Sequence, residues 1–139
     1  MALLQFHYSG RKERSVESRQ EAKDFGVLGE QMATRYLEDH GFVILDRNYR
    51  KGHQEVDIIT LDQGELVVVE VKTRSSGTYL APEEAVDHKK RLNIIKVADN
   101  YVLKHHRTEP IRFDIISIIS NDKGTEIRHL KNAYNVMSF

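Results

Sequence analysis

The sequence predicts one mixed α/β domain whose sheet begins as an antiparallel meander and carries helices on its faces. Three observations support this. Apolar positions at helical spacing near residue 25 lead into three closely spaced strand-like runs. A second helical stretch then precedes one or two more strands. The 139 residues contain no cysteine and fall within the roughly 50–200 residues of a typical domain, enough to bury a core without disulfides.

Residues 11–24 (RKERSVESRQEAKD) hold nine charges in fourteen positions. They are expected as a solvated helix or a disordered extension covering 1–24, with the compact domain at 25–139. From Phe25, the positions Phe25, Leu28, Met32, Ala33, Tyr36 and Leu37 follow a helical period, and His40-Gly41 offers a stop. Phe42–Arg50 reads as the first strand, Glu55–Asp62 as the second and the β-branched run Glu65–Thr73 as the third, with Gln63-Gly64 as the turn. Pro82-Glu83-Glu84 has the proline and early acids of a helix start, and helical character continues to Lys104. Ile111–Ser120 is a fourth strand, and Thr125–Leu130 is a candidate fifth.

Composition narrows the function classes. Apolar residues make up 40% and charged residues 30% of the chain, as in globular rather than disordered proteins. No apolar run nears the ~20 residues of a membrane span. The start, MALLQFHYSG, lacks a basic n-region and breaks its apolar run after Leu4, so a cytoplasmic protein without membrane attachment is expected. Twenty-one basic and twenty-one acidic residues cancel, which leaves only local charge to attract a polyanion. The seven histidines show no helical ligand spacing, and without cysteine a zinc site is not expected.

The third strand carries the chemistry. Alternation puts Leu66, Val68, Glu70 and Lys72 on one face and Val67, Val69 and Val71 on the other. If Gln63-Gly64 is a two-residue hairpin loop, Asp62 pairs with Glu65. Counting back then sets Asp57 opposite Glu70 and Glu55 opposite Lys72, all on one face. Facing carboxylates repel unless a cation lies between them, and Mg²⁺ or Mn²⁺ prefers such oxygen ligands. Lys72 beside them is suited to orienting a water or stabilising charge on a phosphorus centre. Glu-x-Lys alone is usually a solvated strand face; the matched parity of Asp57 gives it weight. Glu30 lies at the rim of the apolar stripe of the first helix, where an acid either reaches inward or stays in solvent. Gly29 falls within the stripe and would let the helix approach the sheet closely.

Several segments in order resemble the YraN-like proteins, a bacterial family of endonuclease-like chains. They run from Gly26-Val27-Leu28-Gly29-Glu30 through Gly41–Leu45, Arg47-Asn48-Tyr49-Arg50 and Glu55-Val56-Asp57-Ile58-Ile59. They continue with Val69-Glu70-Val71-Lys72-Thr73-Arg74, Pro82–Val86 and Arg112-Phe113-Asp114-Ile115-Ile116, and end with His129–Tyr134. The likeness covers about residues 25–135; it departs at Gln54, where the family usually has Gly or Ala. The family is in turn similar to the restriction-endonuclease-like, PD-(D/E)xK nucleases and archaeal Holliday-junction resolvases. The resemblance implies an αβββαβ core, a metal held by Asp57 and Glu70, Lys72 as the catalytic lysine and Glu30 as the first-helix acid. Glu55 is expected to orient Lys72 or the ligands from behind.

Arg47, Arg50, Lys51, Arg74, Lys89, Lys90 and Arg91 form the basic clusters expected to meet nucleic-acid phosphates without reading bases. The leading expectation is a Mg²⁺- or Mn²⁺-dependent endonuclease on DNA, including branched or structured DNA. A homodimer would suit cutting of two strands. The alternatives are a non-catalytic nucleic-acid-binding module of the same fold and a protein-interaction factor.

Overall fold

The computed structural model describes residues 3–4, 16–75 and 86–135 of the chain. The elements are β1 (Leu3–Leu4), α1 (Val16–Asp39), β2 (Val43–Lys51), β3 (Gln54–Asp62), β4 (Glu65–Ser75), α2 (His88–His105), β5 (Ile111–Asn121) and β6 (Gly124–Tyr134). They form one six-stranded sheet in the order β1-β6-β5-β4-β3-β2. Only β4 and β5 are parallel, and the connection between them contains α2, since a parallel pair needs a crossover. No helix among the described residues is long and apolar enough to cross a membrane.

The mixed α/β architecture agrees with the sequence, and so do the types of the main elements. α1 begins at Val16, so the charged segment before Phe25 is helical from there on, the first of its two expected forms, and Arg19, Gln20, Glu21, Lys23 and Asp24 are exposed. The described part of the second helix begins at His88, where the Asp87 carboxylate accepts from Lys90 N (2.8 Å) as an N-cap. The expected start at Pro82 lies outside the described residues. β6 runs on to Tyr134, and β1 adds two residues that pair with its first half.

The sheet has a core on each face. On one side α1 supplies Ala33 and Leu37, packed with Ile58, Val67, Val69, Ile116 and Ile118. On the other α2 supplies Ile94, Val97, Ala98 and Tyr101, packed with Ile59, Leu66, Val68, Phe113 and Ile115. β4 and β5 are thus apolar toward both helices, as expected for central strands covered on both faces. Each fully buried Val or Ile contributes roughly 1.5–3 kcal/mol.

Two local features set the geometry around β4. Gln63 and Gly64 both have positive φ (48° and 81°), the requirement of a type I′ hairpin turn. That turn fixes Asp62 opposite Glu65 and Ile58 opposite Val69, the register expected from the sequence. The second feature is Gly29 on the buried side of α1. A Cβ there would lie 2.3 Å from Thr73 Cγ2, so α1 rests almost directly on β4.

A buried ion cluster joins the hairpin to β5. Arg112 donates to Asp62 Oδ2 (3.0 Å), Glu65 Oε1 (3.0 Å) and both oxygens of Asp114 (2.9 and 3.0 Å). Asp114 is 0% exposed and also takes bonds from His129 Nε2 and Asn132 N. Burial alone would raise its proton affinity; the bonds from His129, Arg112 and Asn132 outweigh that and hold its carboxyl below the usual range.

Gly29→Ala separates close packing from helix propensity. Propensity alone would stabilise α1 by about 1 kcal/mol. The clash with the stiff Thr73 side chain is instead expected to destabilise the protein by about 1–3 kcal/mol in urea unfolding. A more stable variant would contradict the contact.

Candidate metal centre

The antiparallel pairing of β3 with β4 runs from Asp62–Glu65 to Ile58–Val69. Beyond that point side chains take over from the backbone ladder. Val71 N donates to Asp57 Oδ2 (2.8 Å), and Asp57 N points to Glu70 Oε1 at a long 3.4 Å. Alternation fails at the same place: Val56 and Ile59 both pack in the α2-side core, whereas Ile58 packs in the α1-side core. The strands part at Asp57 and Glu70, and the main-chain N–H groups released there are satisfied by the two carboxylates.

Glu30 reaches this opening from α1. Carboxylate oxygens of Glu30, Glu55 and Asp57 lie within 4.8 Å of one another. Glu70, 2% exposed, lies outside that trio and joins it through Asp57. The structure thus gathers all four expected acids, with a different division among them. Glu55 was expected opposite Lys72. It instead pairs across β2 with Arg50 and forms an ion pair with it, because the β3–β4 ladder has ended before Glu55 is reached. Its oxygens belong with the candidate ligands rather than behind them.

Glu30, Asp57 and Glu70 hold protons tightly. Burial, followed by the charge of Asp57, a hydrogen bond to it and the charge of Glu55, pushes the Glu30 carboxyl up to about 7. Burial also raises Asp57, against the Val71 N–H bond, which lowers it. Glu70 is raised well above the usual range by burial and by Asp57. The opposing positive charges are Lys90 on Asp57 and Glu70, Lys72 on Glu70, and Arg47 on Glu30.

The predicted basic residues divide accordingly. Lys72 stands two residues beyond Glu70, opposite Ser117 of β5. Lys90, taken from the sequence as a phosphate contact, acts on the acids from the first turn of α2. Arg91 is engaged within the fold: its Nε donates to Val86 O (2.8 Å) and its guanidinium lies 5.0 Å from the Tyr134 ring centre. Lys51 and Lys89 are exposed, Arg50 holds Glu55, and Arg74 is half-buried at the end of β4.

Asn48 was not anticipated. With its amide nitrogen turned toward the acids, the orientation in which no two acceptors face each other, Nδ2 donates to Glu30 Oε2 (3.1 Å) and Glu55 Oε1 (2.9 Å). A lone Asn inside a strand was the available signal, since Asn tolerates the left-handed conformation (φ 53°) found here. Tyr134 was also overlooked. Its hydroxyl is buried without a hydrogen-bond partner, and Glu70 helps to raise its proton affinity.

The donor set fits a hard divalent cation: carboxylate oxygens only, drawn together, with proton affinities raised at Glu30, Asp57 and Glu70 that a dication would oppose. Glu30, Asp57 and Glu70 prefer protons when folded, so they stabilise the cation-free protein at low pH, and that contribution fades with rising pH. The melting temperature in chelator should therefore fall between about pH 4.5 and 7, the range of the Glu30 shift. Asp114, whose carboxyl is lowered, acts below that window. Excess Mg²⁺ should restore the loss at pH 7–8. A flat profile would contradict the raised proton affinities, and no response to Mg²⁺ would contradict a cation site at these acids.

Residues 29–118 match the family described as "Uncharacterised protein family UPF0102", a span that contains Glu30, Asn48, Glu55, Asp57, Glu70, Lys72 and Lys90. A UPF0102 protein of Bacteroides thetaiotaomicron is 45% identical over 114 residues, covering 82% of this chain and 94% of the relative. One from Persephonella marina is 46% identical over 112 residues, covering 80% and 93%. One from Alkaliphilus oremlandii is 43% identical over 115 residues, covering 81% and 98%. The family match contains the candidate metal-centre residues, and with relatives this similar over most of its length the chain belongs to the UPF0102 family.

Proposed function

We propose that this protein is a Mg²⁺- or Mn²⁺-dependent endonuclease that hydrolyses DNA phosphodiester bonds. One observation carries the reading: the Asp57 and Glu70 carboxylates are fixed side by side where two strands part, with Lys72 next along the strand. The spacing of Asp57, Glu70 and Lys72 also resembles the PD-(D/E)xK pattern.

Asp57, with Glu30, Glu55 and Glu70 around it, would hold the cation. Bound there, the cation would lower the pKa of a water and offset phosphate charge. The chain's own residues do the positioning. Val71 N–H fixes the Asp57 carboxylate, and Glu70 is anchored by burial. Lys72 is placed to orient the attacking water and to balance negative charge growing on the phosphoryl oxygens. Arg47 and Lys90, already close enough to act on the acids, would meet the flanking phosphates. Overall neutrality suits a local contact with backbone or shape better than long-range attraction.

The test is cleavage of linear, flapped and four-way DNA with Mn²⁺. The wild type is expected to cut at least one of these. Lys72→Ala should lose about 10²–10³-fold in rate, and Asp57→Asn at least as much, with DNA binding retained in Lys72→Ala. Failure of the wild type to cut any substrate, or both variants cutting as fast as the wild type, would overturn the proposal. Binding without cutting would indicate a nucleic-acid-binding module.

A further inference from the structure

We propose that Asn48 is a positioning residue: it sets the spacing of the Glu30 and Glu55 carboxylates so that, with Asp57, they accept one divalent cation. The inference rests on the metal site proposed above and assigns the spacing of its ligands to a residue outside the ligand set.

The placement comes from a fault in β2. Ile44 pairs with Thr60, but Asp46 pairs with Ile59, so Leu45 is an extra residue. The bulge shifts all later pairing by one. Arg47 then faces Ile58 and Tyr49 faces Val56, which leaves Asn48 opposite Asp57. Without the bulge Arg47 would occupy that position, and its guanidinium would neutralise the acids in place of a cation. The bulge takes Arg47 off that position, so that it acts on Glu30 only as a nearby charge, and substitutes a neutral amide.

An amide nitrogen has two N–H groups in one plane. In Asn48 one goes to Glu30 on α1 and the other to Glu55 on β3, so a single group on β2 ties together carboxylates from two other elements. The bond to Glu30 engages Oε2 and directs Oε1 toward Asp57; Glu55 is fixed at both oxygens, Oε1 by Asn48 and Oε2 by Arg50, and would meet a cation only through the lone pairs those bonds leave. The donor carries no charge and does not compete electrostatically with a dication, as Lys or Arg would. Glu55 is further held by Arg50 from outside. Glu30 has no comparable outside anchor among the interactions described, and it stands within reach because Gly29 lets α1 settle on β4.

If Asn48 were kept only for its left-handed backbone (φ 53°), glycine would serve as well. Asn48→Gly therefore separates the two roles. In the full chain, Mn²⁺ binding by calorimetry should weaken about 10–100-fold in Asn48→Gly, the usual effect of losing a group that orients metal ligands, while the far-ultraviolet circular dichroism is unchanged. Asp57→Asn should abolish the same binding, which locates it. Equal Mn²⁺ affinity in Asn48→Gly and wild type would overturn the role of Asn48 and leave the metal site standing. No Asp57-dependent binding in the wild type would overturn both. Should Asn48→Gly fail to fold, the wild type decides: the Asn48 side-chain amide resonances should shift as Mg²⁺ is added. Resonances that stay fixed while the Val71 amide moves would refute the inference.

Discussion

The site depends on how the backbone hydrogen bonds are satisfied where β3 leaves β4. A central sheet cannot leave N–H groups unpaired without a substantial penalty. At Asp57 and Val71 the acceptors are the carboxylates of Glu70 and Asp57. These side chains are part of the sheet's own bonding and cannot turn to solvent. The tight hairpin sets the register, the register brings the two acids together, and the backbone then holds them. Fold and candidate chemistry are therefore one arrangement.

The same sheet contains a useful contrast. Asp62, Glu65 and Asp114 also converge, but the Arg112 guanidinium enters their midst and bonds to all three. That cluster is complete, and Asp114 lies below the usual carboxyl range. Around Asp57 the balance goes the other way. Positive groups act from the periphery, the carboxyls are pushed up, and Glu30 reaches about 7. Glu55 is paired with Arg50, but Glu30, Asp57 and Glu70 have no ion pair among the described residues, and such a group is poised for a charge from outside the chain. Arginine enters the middle of one cluster; in the other it reaches only the edge, through Arg50 on Glu55 and Arg47 near Glu30.

Much of this was legible in the sequence because the decisive part is local. Gln63-Gly64 supplies a two-residue turn, and strict two-residue alternation then carries the register back to Asp57 and Glu70. Glu30 was visible at the rim of the helical stripe, and Gly29 within it, because a helix of regular period fixes both directions. The errors arose where regularity ends. The Leu45 bulge has no compositional mark, so Asn48 could not be set opposite Asp57. Extending the β3–β4 register beyond its last pair put Glu55 against Lys72, when strand separation had already given it to Arg50. The influence of Lys90 on Asp57 and Glu70 was not foreseen, because it depends on how the first turn of α2 is placed against the sheet. The pairing of Leu3–Leu4 with β6 joins residues more than 120 positions apart, beyond the reach of a local pattern.

The central claim is that these acids bind one cation where the strands part. Its most direct test is a crystal structure of the protein soaked in Mn²⁺, with anomalous scattering measured at a wavelength that reveals manganese. A peak about 2.0–2.3 Å from carboxylate oxygens of Asp57 and its neighbouring glutamates, typical of a hard divalent ion, is the predicted result. An empty site at saturating Mn²⁺, or manganese bound only elsewhere on the surface, would contradict it.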